Sequence, residues 1–454
     1  MNSELRNRKS ENNFKAGMAR FENVMGDSVL KMKMMPSRFK AIFFLSAVLS
    51  LAFYLYLANW LFRSNPEDDV ESLFNTDKCP ACYGGSACGM FYYKQIELSG
   101  ISKFRTLDIL NGKNVHFATM RPDGREVVVK KLAADTQLRE LDEKLCVEAK
   151  RPVGCDIARV ITRTDRVLPF RTEPLLPKHL KGTGAFMFSC PSYRLLDAVW
   201  TKFQEYKKKN EIFLSDKVQV FYMSLVNQES LLLQTFPKSE GWPFPEYLGS
   251  CGRGIVVENA GRPLSQFVDS SFLIRAGIAY ELMKIADTLT TKSDFALYLT
   301  DVNYENFAVD HSGKVTVIDL ENIIVVDKLS IQARKPTGFD QPYEAIFSDC
   351  EGTNCLLFQS EELCKHLNSD HNYNAICRNL LSSYAVEPGM PQGFLHSMPE
   401  EAKDYWDLEH LLEECARPRQ PGGRWRVKDK LIKALEALKD GSLDHQKVLG
   451  EEKD

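Results

Sequence analysis

The sequence lacks an excess of basic residues. It contains 58 lysines and arginines against 61 aspartates and glutamates, a formal net charge of −3. Proteins that bind nucleic acids concentrate positive charge on one face or groove, often with aromatic residues that stack on bases. Because the chain shows no basic groove pattern interleaved with aromatics, we predict no nucleic-acid partner.

Charged residues are also absent from positions 41–62. As a helix this run would span roughly 33 Å, close to the thickness of the hydrocarbon core of a bilayer. Four basic residues lie between positions 31 and 40, and an acidic segment follows at 66–71, so the positive-inside rule places the N-terminus in the cytosol. The sequence therefore predicts a single-pass type II membrane protein whose bulk is lumenal. A cleaved signal peptide is the competing interpretation, although the run is long and begins far from the N-terminus.

Cysteine is absent from the first 78 residues, and all twelve cysteines follow the uncharged run. An even number of cysteines in an oxidising compartment predicts disulfides, whose pairing the sequence leaves open. The cluster of Cys79, Cys82 and Cys88 has two alternative interpretations, a zinc site or a redox C-x-x-C motif. Disulfides are favoured because only three thiols and no histidine lie there. The chain has no N-x-S/T sequon, so glycosylation gives no independent indication of topology.

Composition divides the chain into five predicted parts. The segment before the linker at 259–263 is predicted to be rich in β-strands with one helix, and the segment after it to be mostly helical. This pattern indicates two lobes, and clefts between lobes bind small ligands. The predicted parts are a disordered cytosolic tail (1–40), a transmembrane anchor (41–62), an acidic stem (63–78), a Cys-rich segment with the N-terminal lobe (79–260), and a C-terminal lobe with Cys-containing helices (261–454).

The stretch 295–319 carries three polar residues suited to a cation. Asp301 is followed five positions later by Asn306, and Asp319 ends an apolar run. Two short strands flank the turn residues 310–313, which predicts a hairpin that brings Asn306 and Asp319 side by side. Two carboxylates and a carboxamide are hard oxygen ligands suited to Mg²⁺ bound together with substrate phosphates. The stretch therefore predicts phosphoryl transfer.

A lysine pair ends the predicted strand at 126–132. Because side chains alternate along a strand, Lys130 and Lys131 point to opposite faces, and the inward lysine needs an anionic partner. A lysine that extends to solvent at the strand end is the alternative. The helix predicted at 136–149 supplies the acidic candidates Glu140, Asp142, Glu143 and Glu148.

These pieces together resemble a protein-kinase fold, an α+β fold of two lobes. Val127 to Lys130 resembles the V-A-I-K strand, Asp301 and Asn306 keep the D-x-x-x-x-N spacing, and Asp319 takes the D-F-G position. Longer strings narrow the resemblance to the divergent protein kinase-domain family of the secretory pathway, and within it to the deleted-in-autism protein 1 branch. These strings are KCPACYGGSAC, GWPFPEYLGSCGR, FALYLTDVNYENFAV and SDHNYNAICRNLL.

The resemblance implies a nucleotide site. Lys130, helped by a helix acid such as Glu140 or Glu143, would hold ATP phosphates, and the hinge around Glu258 and Ala260 would contact adenine. The resemblance further implies that Asp301 accepts the proton of a substrate hydroxyl. It assigns Mg²⁺ or Mn²⁺ to Asn306 and Asp319.

It also implies a Golgi or endoplasmic reticulum protein whose domain is lumenal, with secretion after cleavage as an alternative. Its partner would be an unknown lumenal or extracellular protein.

The chain departs from the kinase pattern at several positions. It has no G-x-G-x-x-G loop, and Gly112, the only glycine near the expected place, is predicted to contact the nucleotide phosphates. Asn303 stands where kinases commonly carry a phosphate-binding lysine, and Glu321 stands at the glycine of D-F-G. Two hypotheses follow: an active lumenal kinase, or a pseudokinase that serves as a secreted signalling or scaffold module.

Overall fold

The chain divides into two compact units, residues 1–65 with 104–106, and the remainder. Of the first unit only eight residues are described, all helical, and the apolar ones among them are exposed. No helix among the described residues is long and apolar enough to cross a bilayer. The predicted tail and most of the predicted anchor lie outside the described residues. The computed structural model describes residues 46, 49–54, 56, 70–71, 73–98, 115–208, 211–345, 356, 358–385 and 393–440.

Helices and strands of the second unit are numbered here in chain order. The α-helices are α1 (Cys88–Tyr92), α2 (Asp135–Glu148), α3 (Ile157–Val160), α4 (Pro177–Leu180), α5 (Tyr193–Lys207), α6 (Leu214–Val226), α7 (Glu229–Thr235), α8 (Phe272–Thr291), α9 (Lys328–Arg334), α10 (Ser360–Leu363), α11 (His371–Ile376), α12 (Glu400–Trp406), α13 (Leu408–Ala416) and α14 (Gly423–Lys439). The strands are β1 (Ile96–Leu98), β2 (Val115–Met120), β3 (Glu126–Lys131), β4 (Tyr247–Cys251), β5 (Gly254–Glu258), β6 (Arg262–Pro263), β7 (Phe295–Tyr298), β8 (Phe307–Val309), β9 (Val315–Val317) and β10 (Ile324–Asp327).

An antiparallel sheet in the order β1-β2-β3-β5-β4 forms the N-terminal part of this unit. Its central strand β3 is covered on both faces, which explains its uninterrupted valines. Val127 and Val129 pack with Phe74 and Phe91, whereas Val128 joins the large core on the opposite face. Since side chains alternate along a strand, Lys130 extends to the same side as Val128.

The Cys-rich segment belongs to the N-terminal lobe. Its backbone bonds the β4–β5 turn through Tyr83 N to Gly252 O at 2.8 Å and Ala87 N to Ser250 O at 2.8 Å. The described cysteines confirm the predicted disulfides. Among the described residues, no group of three or more His, Cys, Asp or Glu side chains is placed to hold a metal ion. The disulfides join Cys79–Cys82, Cys88–Cys251, Cys146–Cys155, Cys190–Cys364 and Cys377–Cys415.

The prediction of a single helix before the linker is wrong, because the long helices α5 and α6 and the short helix α7 also precede it. In α6 every residue from Val218 to Ser224 is buried, and α7 is buried throughout. A helix surrounded by protein on all sides has no polar face, so its sequence lacks the amphipathic period that identifies a surface helix.

The C-terminal lobe is built around α8, which packs against α11 and α14. The predicted hairpin is confirmed: β8 pairs with β9 in antiparallel register, with Phe307 opposite Val317, and β6 adds a third strand. The strands β7 and β10 form a separate antiparallel pair. These two small sheets carry the loops that follow β7 and β9.

A buried arginine ties α11 to the C-terminal helices. Arg424 at the start of α14 is 1% exposed and its guanidinium lies 3.0 Å from the carboxylate of Asp370. It also donates to the side chain of Asn374 and to the backbone carbonyls of Cys415 and Ala345. Because every donor direction is used inside the protein, this arginine fixes the segment 369–374 in place.

We predict that Arg424→Ala lowers the free energy of unfolding by about 3–5 kcal/mol, because it leaves the Asp370 carboxylate buried without its cation. Chemical denaturation followed by circular dichroism measures this change. Arg426→Ala is the matched control on the same helix, since Arg426 is exposed and bonds only the Pro421 carbonyl among the contacts described. Equal stability of the two variants would contradict the prediction.

Candidate active site

Lys130 at the end of β3 forms a buried ion pair. Its Nζ lies 2.8 Å from Glu229 Oε1, where Glu229 begins α7, and it also donates to Ile318 O at 2.5 Å. The two side chains are 13% and 3% exposed. The predicted inward lysine with an anionic partner is confirmed, whereas Lys131 turns to the other face and pairs with Asp135 at 2.7 Å.

The prediction that the partner comes from helix α2 is wrong. Glu140 is exposed and Glu143 half-buried, and both line an open depression on the outer surface of α2. This helix turns Leu138 and Leu145 inward instead. The true partner, Glu229, was missed because α7 has no amphipathic period; the available signal was a glutamate placed directly before the apolar run Ser-Leu-Leu-Leu.

Burial raises the pKa of Glu229 to about 7, even though the nearby Lys130 ammonium lowers it. The negative charge of Asp319, the residue after the Ile318 carbonyl that Lys130 contacts, adds to the increase. Glu229 is therefore largely ionised only above about pH 7. Below that pH it takes up a proton, and the charge of its ion pair with Lys130 is lost.

The loop after β7 brings Asp301 and Asn306 together. Asn306 Nδ2 donates to the backbone oxygen of Asp301 at 3.3 Å, and Asn306 O accepts from Ile318 N at 2.9 Å. The second bond places the loop beside Asp319, the next residue after Ile318. Asn303 Nδ2 donates to Asp301 Oδ1 at 3.1 Å, so the residue that replaces the usual lysine contacts the carboxylate directly.

Asp319 is half-buried, and one of its carboxylate oxygens accepts the N–H of Glu321 at 3.2 Å. Glu321 lies at the solvent edge, and its Oε2 accepts from Asn227 Nδ2 at 2.8 Å. Partial loss of water around Glu321, followed by the negative charges of Asp319 and Asp301, raises the pKa of its carboxyl. The structure therefore brings the sequence-predicted residues of the stretch 295–319 into one locality.

The segment 369–381 supports this loop from below. Asn372 Oδ1 accepts from Leu299 N at 3.0 Å, and His371 Nε2 lies 2.6 Å from Leu299 O. Farther along, Tyr304 OH donates to Leu380 O at 2.8 Å. The string SDHNYNAICRNLL thus holds the backbone of the Asp301 loop.

The sheet presents apolar side chains above this locality. Val115 lies opposite Lys130 and Phe117 opposite Val128 in the β2–β3 register, and opposite residues share a face of the sheet. Val115 is 41% exposed and Phe117 is 55% exposed, which is high for large apolar residues of a strand that has a neighbour on each side. Gly112, predicted to contact phosphates, lies outside the described residues.

The predicted hinge follows β5. Both carboxylate oxygens of Glu258 accept from Lys238 Nζ at 2.7 Å, so this side chain is already engaged. Ala260 is half-buried in the connection to β6. The next residue, Gly261, has φ +113°, and a Cβ there would lie 2.2 Å from Val309 O, so this close approach requires glycine. Since the Glu258 side chain is engaged, a contact with the edge of a planar ligand at the predicted hinge would have to come from the backbone of the connection between β5 and β6.

A two-lobed α+β fold, an ion pair between Lys130 and Glu229, and a loop that carries Asp301 and Asn306 together resemble the arrangement in protein kinases. A sequence profile described as the protein-kinase domain of FAM69 matches residues 221–418. Divergent protein kinase domain 2A from Homo sapiens is 39% identical, covering 84% of this chain and 91% of its own length.

The Xenopus tropicalis protein of the same name is 38% identical with the same two coverages. Divergent protein kinase domain 2B from Homo sapiens is 28% identical, over 80% of this chain and 81% of its own length. The chain belongs to the divergent protein kinase-domain family, which confirms the predicted family.

The buried histidine beneath the loop gives a pH-dependent contribution to stability. Burial lowers the pKa of His371 from 6.5 to about 4. Because the unfolded chain protonates first, this contribution is fully present above about pH 6.5 and decreases as the pH falls towards 4, by up to about 3 kcal/mol. Glu229, whose pKa is raised, acts in the opposite sense between about 4.5 and 7, so only a difference measurement isolates the histidine.

We predict that His371→Gln makes the free energy of unfolding less sensitive to acid between about pH 6.5 and 4 than in the unaltered protein. Glutamine can still donate to Leu299 O but does not titrate. Denaturation curves collected across this range measure the effect. The exposed His410 on α13 provides the matched control, His410→Gln. An unchanged pH dependence in His371→Gln would contradict the assignment.

Proposed function

We propose that the protein binds ATP with Mg²⁺ or Mn²⁺ between the sheet and the helical lobe, and transfers the terminal phosphate to a hydroxyl of a lumenal or secreted protein. The observation that carries this proposal is the ion pair between Lys130 and Glu229. A buried lysine fixed by a helix glutamate beside Asp319 is the arrangement that protein kinases use to orient nucleotide phosphates. The exposed Val115 and Phe117 support it, since they offer an apolar cover for a purine ring.

The donor set fits a nucleotide-bound cation. Asn306 uses its amide N–H to bond Asp301 O, which leaves its carbonyl oxygen for a ligand. Asp319 uses one carboxylate oxygen for the Glu321 N–H, and the other adds a negative donor. Mg²⁺ typically takes one or two protein oxygens and completes its shell with water and substrate phosphates. When bound, the cation would neutralise charge on the phosphates.

Asp301 supplies the base of the proposed reaction. Its carboxylate would accept the proton of the acceptor hydroxyl, whose oxygen forms the new bond to the terminal phosphorus. The bond between that phosphorus and the bridging oxygen breaks, and ADP leaves. Lys130 would hold the remaining phosphates in line for this displacement, and Glu229 would hold Lys130.

A second candidate function is that of a pseudokinase that binds a partner without catalysis. The specific observation in its favour is the contact between Asn303 and Asp301. A neutral amide there occupies the position of a cation that would face the transferred phosphate, and electrostatic contacts of this kind commonly contribute a few kcal/mol to transition-state stabilisation. The five disulfides among the described residues support a lumenal or secreted setting for either function.

We predict that ATP with Mg²⁺ raises the melting temperature of the full chain, because a ligand that binds only the native state stabilises it. Asp319→Asn should remove the Mg²⁺-dependent part of this increase. Asp404→Asn, at an exposed position of α12, is the matched control and should behave like the unaltered protein.

Labelled ATP separates the two candidate functions. Transfer that is lost in Asp301→Asn while binding persists supports the kinase, and binding without transfer supports the pseudokinase. Absence of any ATP-dependent shift in the unaltered protein would overturn the kinase proposal and leave the pseudokinase.

We also predict that ATP affinity falls several-fold as the pH decreases through about 7, because protonation of Glu229 releases its hold on Lys130. Isothermal titration at a series of pH values measures this. In Glu229→Gln the affinity for ATP should be lower than in the unaltered protein at high pH. Its remaining pH dependence should come only from titration of the nucleotide phosphate. Parallel pH profiles for the two proteins would show that the ion pair does not govern binding.

A further inference from the structure

Two consecutive amides, Asn227 and Gln228, connect the lysine side of the site to the aspartate side. They lie between α6 and α7, directly before Glu229, and are 8% and 1% exposed. Neither titrates, and no motif in the sequence points to them. Their side chains reach the segment 319–323 across more than ninety residues of sequence.

Gln228 uses its whole amide in buried bonds. Its Nε2 donates to Leu320 O at 3.2 Å and to Ile323 O at 2.8 Å, and its Oε1 accepts from Met187 N at 2.7 Å. The two carbonyls belong to the turn that follows Asp319. A buried carbonyl without a partner costs about 1–3 kcal/mol, so this turn is held to the start of α7.

Asn227 adds a bond to each neighbouring element. Its Nδ2 donates to Leu132 O, next to the lysine strand, at 3.2 Å and to Glu321 Oε2 at 2.8 Å. Its Oδ1 accepts from Glu229 N at 2.9 Å, which fixes the first turn of α7. Glu321, the residue that departs from the kinase D-F-G pattern, is therefore the acceptor of this connection.

We propose that Gln228 and Asn227 are positioning residues that hold the cation-binding Asp319 segment and the phosphate-binding Lys130–Glu229 pair in one fixed arrangement before any ligand binds. This inference rests on the proposed function for its consequence but not for its geometry. Glu321 acts as the acceptor that completes the connection, since its Oε2 accepts from Asn227 and its Oε1 lies 3.4 Å from Asn322 Nδ2.

Hydrogen exchange of the full chain without nucleotide tests the geometry. Gln228→Leu keeps the volume of the side chain but removes its bonds, and should speed exchange across 316–325 by about tenfold or more. Gln234→Leu is the matched control, because Gln234 is also buried, on α7, and among the described residues its side chain bonds only to Ser230 of its own helix. Equal changes at 316–325 in the two variants, or none in Gln228→Leu, would overturn the proposal.

A second pair of variants covers the case in which Gln228→Leu does not fold. Glu321→Ala lies at the exposed end of the connection and should speed exchange at 319–323 about three- to tenfold, whereas Glu321→Gln keeps an acceptor and should restore protection. Asn322→Ala, at the neighbouring position, should leave exchange unchanged. Failure of Glu321→Ala to alter exchange would overturn the role of Asn227.

Nucleotide titrations distinguish positioning from ligation. In Gln228→Leu the affinity for ATP without a divalent cation should stay close to that of the unaltered protein. The factor by which Mg²⁺ increases the ATP affinity should fall at least fivefold. Glu321→Gln should retain that gain, and its loss would make Glu321 a cation ligand. If the unaltered protein binds no ATP, the proposed function fails while the exchange experiments still decide the arrangement.

Discussion

A lysine ammonium and a glutamate carboxylate withdrawn together from water are the interaction on which the candidate site depends. Either charge alone would be expensive at this depth, and removal of one partner leaves the other uncompensated. The pair joins the central strand of the sheet to a short helix, and the lysine also contacts the backbone next to Asp319. One contact thus connects the elements that would bind phosphate and cation.

The remainder of the fold holds these elements at fixed positions. The Cys-rich segment covers the outer face of the sheet and forms hydrogen bonds with the β4–β5 turn. Arg253 in that turn is 2% exposed and donates two hydrogen bonds to the carboxylate of Asp142 in α2. Beneath the Asp301 loop, buried polar side chains and Arg424 serve the same purpose. Hydrogen bonds inside the protein have defined partners and directions, so those that Asn372 and Arg424 form favour one arrangement of the loop.

The local patterns were readable from sequence and the distant pairings were not. The β8–β9 hairpin, the inward lysine and the Asp301 to Asn306 spacing follow from turn residues and alternation over a few positions. Glu229 could not be found in this way, because α7 is buried on every side and its sequence carries no period. The amides at 227 and 228 pair mostly with backbone atoms, and a backbone partner cannot be recognised from residue type.

The contacts of the Cys-rich segment with the sheet determine where the chain can be truncated without disrupting the fold. The region that matches the kinase-domain profile begins at residue 221 and therefore omits β1, β2 and β3. A chain that begins at residue 221 would lack Lys130, the strand β3 that pairs with β5, and Cys88, the disulfide partner of Cys251. It would also expose the face of β5 that carries Val256. The smallest portion with an intact sheet and site starts before Phe74, so the folding unit is considerably longer than the region that the kinase-domain profile matches.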